Sequence, residues 1–271
     1  MQLRDFALRI LSSDDIEVKL AAPRGRLADQ EREAPEVSEW PARPERFRIR
    51  PGKDVRVPPA RGMADPEQLR RVLHALANHE LQAVELFALA LVRFPAAPPE
   101  FRRGLLAILR EEQRHTRMYI ARLRQLGGEF GDYPVTGYFW NKAPQLTTPV
   151  RFVCAMSLTF ENSNLDHTTV YAAEARRLGD ARTLAIVEKV QRDEIFHVRF
   201  GVHWLTKFKA PGESLWDAYR RHLAWPLNPG RARGQELNVA ARQKAGLDAD
   251  FIAQLTAWRF GDAADSEADA R

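Results

Sequence analysis

The chain is short of several things, and each shortage removes a class of function. A single cysteine, Cys154, among 271 residues leaves no intramolecular disulfide and no cysteine-rich zinc or iron–sulfur site, so any metal would have to use histidine and carboxylate ligands. No phosphate-cradling glycine loop, dinucleotide fingerprint, or Ser or Cys nucleophile motif occurs, and nothing reads as a reductase domain. Long apolar runs are missing too. The greasiest stretch, Leu81 to Val92, is about 12 residues against the roughly 20 needed to span a bilayer, and it contains Glu85. The opening text, "MQLRDFALRILSSDD", interrupts its apolar residues with Arg4, Asp5 and Arg9, unlike a secretory signal. A soluble, cytoplasmic protein with no membrane partner is expected.

Apolar residues make up 45% of the chain, enough for one sizeable core with appendages. The net charge of +5 permits an acidic partner without demanding one. Basic residues are bunched: Arg43, Arg46, Arg48, Arg50, Lys53, Arg56 and Arg61 stand against Glu45 and Asp54, and seven arginines lie between Arg102 and Arg124. A solvated surface, with an extended arm lying along it, is favoured over an RNA-binding track.

Residues 3 to 20 read as one or two short helices, with Ser13 and Asp14 placed to cap the second. From Pro23 to Pro66 the text is rich in proline and charge without a sustained period, an ordered arm for which Trp40 and Phe47 are candidate anchors. Asp65 and Pro66 then open a helix that lasts to about Phe94. A second runs from about Pro99 to Leu126 and stops at Gly127-Gly128. A loop follows that is long enough to cross from one end of a bundle to the other, with Tyr138 and Trp140 placed to cover an end. Helices from about Thr148 to Leu178 and Asp180 to Phe208 complete the set. Four long helices paired by tight turns, with one long crossover between the pairs, form an all-α four-helix bundle of ferritin-like connectivity. The expected organisation is residues 1–64 as N-terminal helix and arm, 65–210 as bundle, and 211–271 as short C-terminal helices (about Glu213 to Ala224, Gln235 to Ala245 and Asp248 to Arg259) with a frayed tail.

"RDEIFHVRFG", Arg192 to Gly201, sets Glu194 and His197 three apart on one helix face, among Ile195, Phe196, Val198 and Phe200, which belong in a packed interior. A lone Glu-x-x-His means little. Here it recurs as Glu112 and His115, and each copy lies on the second helix of a pair. The first helix of each pair offers a glutamate in an apolar stripe: Glu80 with Leu73, Leu76, Val84, Phe87 and Leu91, and Glu161 with Cys154, Leu158, Leu165 and Thr168. The separations, 32 residues from Glu80 to Glu112 and 33 from Glu161 to Glu194, repeat one hairpin twice. Carboxylates buried this way are costly without a partner. One glutamate from each of two helices plus Glu-x-x-His from each of the others is the ligand set of a di-iron carboxylate bundle, and manganese fits it equally. Two cations nearly neutralise four acids, which removes the burial cost.

The order Glu, Glu-x-x-His, Glu, Glu-x-x-His resembles the ferritin-like superfamily, including rubrerythrin, ribonucleotide reductase small subunits and bacterial multicomponent monooxygenases. "EEQRH" and "DEIFH" are similar to the monooxygenase pattern, in which an acid directly precedes the ligand glutamate. That resemblance implies that Asp193 accepts a hydrogen bond from His115, and Glu111 one from His197. "NHELQAVELFALAL", "LGGEFGDYPV" and "DEIFHVRFGVHW" resemble an uncharacterised bacterial ferritin-like family, domain of unknown function 455, and more distantly the tRNA-modifying di-iron hydroxylase.

Other candidates rank lower. Glu85 lies about 140° around the helix from Glu80 and reads as a buried hydrogen-bonded acid. His74, His79, His167, His203 and His222 read as structural, and Tyr119, one turn past His115, as a core tyrosine ahead of a redox one. The expected function is an oxygen-activating oxidoreductase or hydroxylase with two iron ions, acting on an unidentified small molecule and supplied by a separate electron donor. A homodimer is compatible with it. A non-catalytic metal-binding or iron-handling bundle is the alternative, and a tRNA-modifying hydroxylase with an RNA partner ranks behind both.

Overall fold

The computed structural model describes residues 1–30, 33–49 and 55–259. The regular elements among the described residues are all helical, with no strand beyond an isolated bridge between Gln2 and Ala28. The elements are α1 (Leu3–Ser12), α2 (Ile16–Leu20), α3 (Pro66–Arg93), α4 (Pro99–Gln125), α5 (Pro149–Ala155), α6 (Glu161–Arg177), α7 (Ala181–Phe208), α8 (Leu215–His222), α9 (Val239–Ala245) and α10 (Ala249–Ala257). A π-helical turn, Met156–Phe160, joins α5 to α6, so that these three segments form the third long helix. The chain is an all-α bundle. By contact it divides into two compact units, Met1–Pro149 with Val170–Val190 and Val150–Thr169 with Gln191–Arg271.

In the first unit, α3 and α4 form an antiparallel hairpin. Asp65 caps α3 by accepting from the Gln68 N–H at 2.8 Å, and Pro66 sits at the first turn, where its missing N–H costs nothing. Arg102 of α4 reaches back to the C-terminal end of α3 and donates to the carbonyls of Leu91 (2.9 Å) and Phe94 (2.8 Å), where helical carbonyls outrun the helix's own donors. At the far end, Gly127 turns the chain at φ +77°. The most apolar window of α3 is long enough for a membrane span, and 89% of it is buried, as befits a core helix.

The crossover runs along α3 in register. His74 Nε2 accepts from the Gly131 N–H (2.9 Å), Asn78 donates to the Thr136 carbonyl (2.9 Å), Gln82 accepts from the Trp140 N–H (3.2 Å), and Arg93 donates to the Ala143 carbonyl (2.5 Å). Residues 74 to 93 span about 28 Å of helix at 1.5 Å per residue. The loop therefore travels about two-thirds of the helix, and the polar positions His74, Asn78 and Gln82, each one turn apart, hold it there. Trp140 is buried, its indole N–H on the Glu39 carbonyl at 2.7 Å, whereas Tyr138 is only half-buried.

His74 carries a pH consequence. Burial pushes its pKa down to about 4, the Arg46 charge adds to this, and Asp132 opposes it. Because the folded pKa lies below the unfolded value, the unfolded chain binds the extra proton, so the stability of the neutral imidazole is present above about pH 6.5 and lost as pH falls toward 4. The loss should reach about 3 kcal/mol by urea unfolding, and His74→Gln, which keeps an acceptor for Gly131, should shrink the difference between pH 7 and pH 4.5.

The arm is pinned by charge more than by aromatics. Phe47 is buried against Phe130 (ring centroids 4.7 Å), but Trp40 is only half-buried. The stronger anchor is Arg43, which with Lys19 closes on Glu85 inside the protein. Several clustered arginines are committed to partners: Arg102 to Asp29, Arg122 to Asp180 and Thr183, Arg114 to Glu111, Arg124 to Glu129, and Arg46 to the Phe130 carbonyl. The expected cap of α2 falls one residue late, since Asp15 accepts from the Glu17 N–H at 2.8 Å. Arg50, Lys53, Asp54 and the expected frayed tail from residue 260 lie outside the described residues.

In the second unit, the Asp166–Arg242 pair gathers the C-terminal segments. Arg242, fully buried, donates to both Asp166 oxygens (2.6 and 2.9 Å) and to the carbonyls of Asn162 and Ala232, while the N–H groups of Gly234 and Asn238 also end on Asp166. α7 approaches the π turn closely. A β-carbon at Gly201 would stand 2.6 Å from that of Ser157, which is why glycine closes "RDEIFHVRFG".

Candidate metal centre

Helix spacing brings three acidic and imidazole groups together within each unit. In the first, α3 buries Glu80 beside Leu73, Val84, Phe87 and Leu91, and α4 presents Glu112 and His115 one turn apart. His115 Nδ1 lies 3.4 Å from Glu112 Oε2 and 3.7 Å from Glu80 Oε2, and one ligand atom of each residue falls within 4.8 Å of the others. All three are less than 5% exposed. Burial first, and then the neighbouring Glu112 charge, raise the Glu80 carboxyl well above the ordinary range, with the His115 contact opposing them.

The second unit repeats the arrangement. Glu161, Glu194 and His197 are buried, with His197 Nδ1 3.3 Å from Glu194 Oε2 and 3.9 Å from Glu161 Oε1, and ligand atoms again mutually within 4.8 Å. Two features have no counterpart in the sequence reading. The π turn directly precedes Glu161, its broken ladder partly satisfied by Thr159 Oγ1 donating to the Cys154 carbonyl at 2.8 Å. Asn164 Nδ2 donates to Glu194 Oε1 at 2.7 Å. The signal for Asn164 was available: it stands three after Glu161, the spacing at which Glu and His meet in the other motifs.

The donor sets fit a cation. Two ligands about 2.1 Å from one ion, at angles of 90–120°, stand about 3.0–3.6 Å apart, and three of the four imidazole–carboxylate distances lie in or within about 0.1 Å of that range. The same distances are longer than a good N–H···O bond. Two carboxylates and a neutral imidazole suit iron, manganese or zinc.

A family model described as "Protein of unknown function (DUF455)" matches residues 9–253. The chain belongs to that family. An uncharacterized protein of Haemophilus influenzae is 31% identical over 160 residues, which cover 56% of this chain and 54% of the relative. The chain thus spans about half the length of the relative it matches. No solved structure matches.

In this DUF455 chain the remaining candidates separate by environment. Glu85 is no part of either trio: it is fully buried under Arg43 (Nη2 at 2.7 Å) and Lys19 (3.0 Å). His74 is structural, bound to the crossover, and His79 stacks on Phe139 at 5.1 Å. His203 is exposed and lies edge-on to Trp204, and His167 is exposed. Tyr119 is buried one turn beyond His115. Asp193 is buried, whereas Glu111 is half-buried and pairs with Arg114 at 3.0 Å. The expectation that Phe196 packs inside is corrected: it is 59% exposed, with the Arg199 guanidinium 5.2 Å over its ring, and Ile195 and Phe200 are half-buried. Once Glu194, His197 and Val198 take the inward face of α7, residue 196 must point outward.

Proposed function

We propose that the two trios, Glu80, Glu112 and His115 with Glu161, Glu194 and His197, together form one dinuclear centre of ferritin-like type, and that the protein is an oxygen-activating oxidoreductase of a small-molecule substrate. The observation that carries this reading is the duplication: two buried Glu, Glu, His sets, built at the same helix spacing, each with an imidazole nitrogen 3.3–3.4 Å from its own motif's carboxylate. The order of motifs and the long crossover agree with ferritin-like connectivity.

Two bound iron ions, or manganese in the same ligands, would supply redox chemistry with dioxygen. The chain's own part is to gather the carboxylates and imidazoles where water is scarce, to aim each Nδ1 at its motif's carboxylate, and to exclude bulk solvent with the apolar stripes around Glu80 and Glu161. In this proposal Asp193 and Glu111 accept from the imidazoles of His115 and His197, Tyr119 lies close enough along α4 to tune the site, and electrons arrive from a separate protein.

Metal content and dioxygen uptake test the reading. Iron-reconstituted protein should carry two ions per chain and consume dioxygen when reduced, and a Glu112→Ala, His115→Ala double variant should lose that uptake. Two ions bound with no uptake by the parent would instead favour the non-catalytic metal-binding or iron-handling bundle.

A further inference from the structure

The trios match in composition and spacing, but their surroundings do not. At the position three after the first ligand glutamate, one hairpin has Asn164 and the other Ala83. The Asn164 amide donates to Glu194 Oε1 at 2.7 Å, while the other oxygen of that carboxylate, Oε2, faces His197 Nδ1 at 3.3 Å. A methyl group at residue 83 has no hydrogen to donate. The backbones differ as well: α3 is regular α-helix from Pro66 to Arg93, whereas the third long helix carries its π turn immediately before Glu161.

We propose that Asn164 is a positioning residue that makes the two halves of the centre unequal, so that the Glu161, Glu194 and His197 half takes up its metal ion first and more tightly. The inference rests on the dinuclear reading above. A carboxylate already held by an amide loses less side-chain freedom when it binds a cation, and its inward oxygen is aimed before the ion arrives. Partners of this kind are worth about 10–100-fold in metal affinity.

The test is an anaerobic titration of the metal-free full chain with Co²⁺, read by visible ligand-field absorption and by calorimetry. The parent should bind two equivalents in two steps at least tenfold apart. Asn164→Ala should weaken the tighter step about tenfold or more and leave the weaker one in place. Asn164→Asp, which keeps the shape but lacks the N–H, should do the same, and it carries the test should the alanine variant fail to melt cooperatively. His197→Ala should remove the tight step and His115→Ala the weak one. Two equal steps in the parent, or a tight step unchanged in both Asn164 variants, overturns the inference and leaves the dinuclear reading standing. No uptake of Co²⁺ removes both.

Discussion

Under the proposed dinuclear reading, replacing Glu112 by leucine is expected to abolish binding of at least one metal ion and any dioxygen uptake, while making the metal-free fold more stable. The reasoning starts from burial: Glu112 is 1% exposed, and together with burial itself its charge raises the neighbouring Glu80 carboxyl. An apolar side chain of similar volume removes a buried acid and relieves the one beside it, which in the metal-free protein is a gain. Ligand sites commonly oppose stability in this way, since the groups are placed for their ligand. Metal analysis and urea unfolding of the metal-free variant decide it; two ions retained, or a less stable metal-free fold, sinks the assignment. The Glu80 shift also sets a sign. A carboxyl whose folded pKa lies above its unfolded one favours the folded state when protonated, so the metal-free protein should gain stability as pH falls through the folded pKa toward about 4.5, and metal, which displaces that proton, should bind more weakly there.

Glu85→Ala should do the reverse: a loss of about 3–5 kcal/mol with metal content unchanged. Glu85 has no exposed surface and is the counter-charge to Arg43 and to Lys19, both also buried. Burial holds the Lys19 ammonium below its usual pKa and Glu85 opposes that, so removing the acid leaves two cations in the interior with little to answer them. Arg43 keeps Asn78 (2.8 Å), and Lys19 keeps the Ile10 carbonyl (2.6 Å), which are dipoles rather than charges. Limited proteolysis should show the arm around Arg43 opening before the bundle, and Glu85→Gln, which still accepts a hydrogen bond, should lose less. Two buried acids, Glu112 on α4 and Glu85 on α3, would then be told apart by experiment: the first as a metal ligand and the second as a stabiliser of the fold.

Much of this was legible along the chain, for reasons that are local. The bounds of α3 follow from Asp65, Pro66 and the "FPAAPPE" breaker; those of α4 follow from Gly127, whose φ of +77° suits glycine. Each trio follows from i, i+3 geometry within a helix and from the stripe that points the first glutamate inward. Glu85 could be set apart from Glu80 by its angle around the helix alone. The partners of Glu85 could not be, because Lys19 lies in a short helix and Arg43 in the proline-rich arm, and nothing local in either announces that it packs on α3. The same holds for Asp166 and Arg242, 76 residues apart, whose pairing exists only after the C-terminal segments fold back on the third helix.

Helix type, helix ends and the inward face of each long helix were therefore determined by the order of residues, because capping, left-handed glycines and the 3.6-residue period act within a few positions of one another. Tertiary packing decided the rest. The π turn before Glu161 has no composition signal, and it occurs where α7 comes close enough that only glycine fits at residue 201. Phe196 looks like core in a one-dimensional text, yet the helix has one inward face, already taken by Glu194, His197 and Val198. The Asn164 amide reaches a carboxylate 30 residues away, so the difference between two hairpins that read alike is set by proximity across helices, where sequence periodicity carries no information.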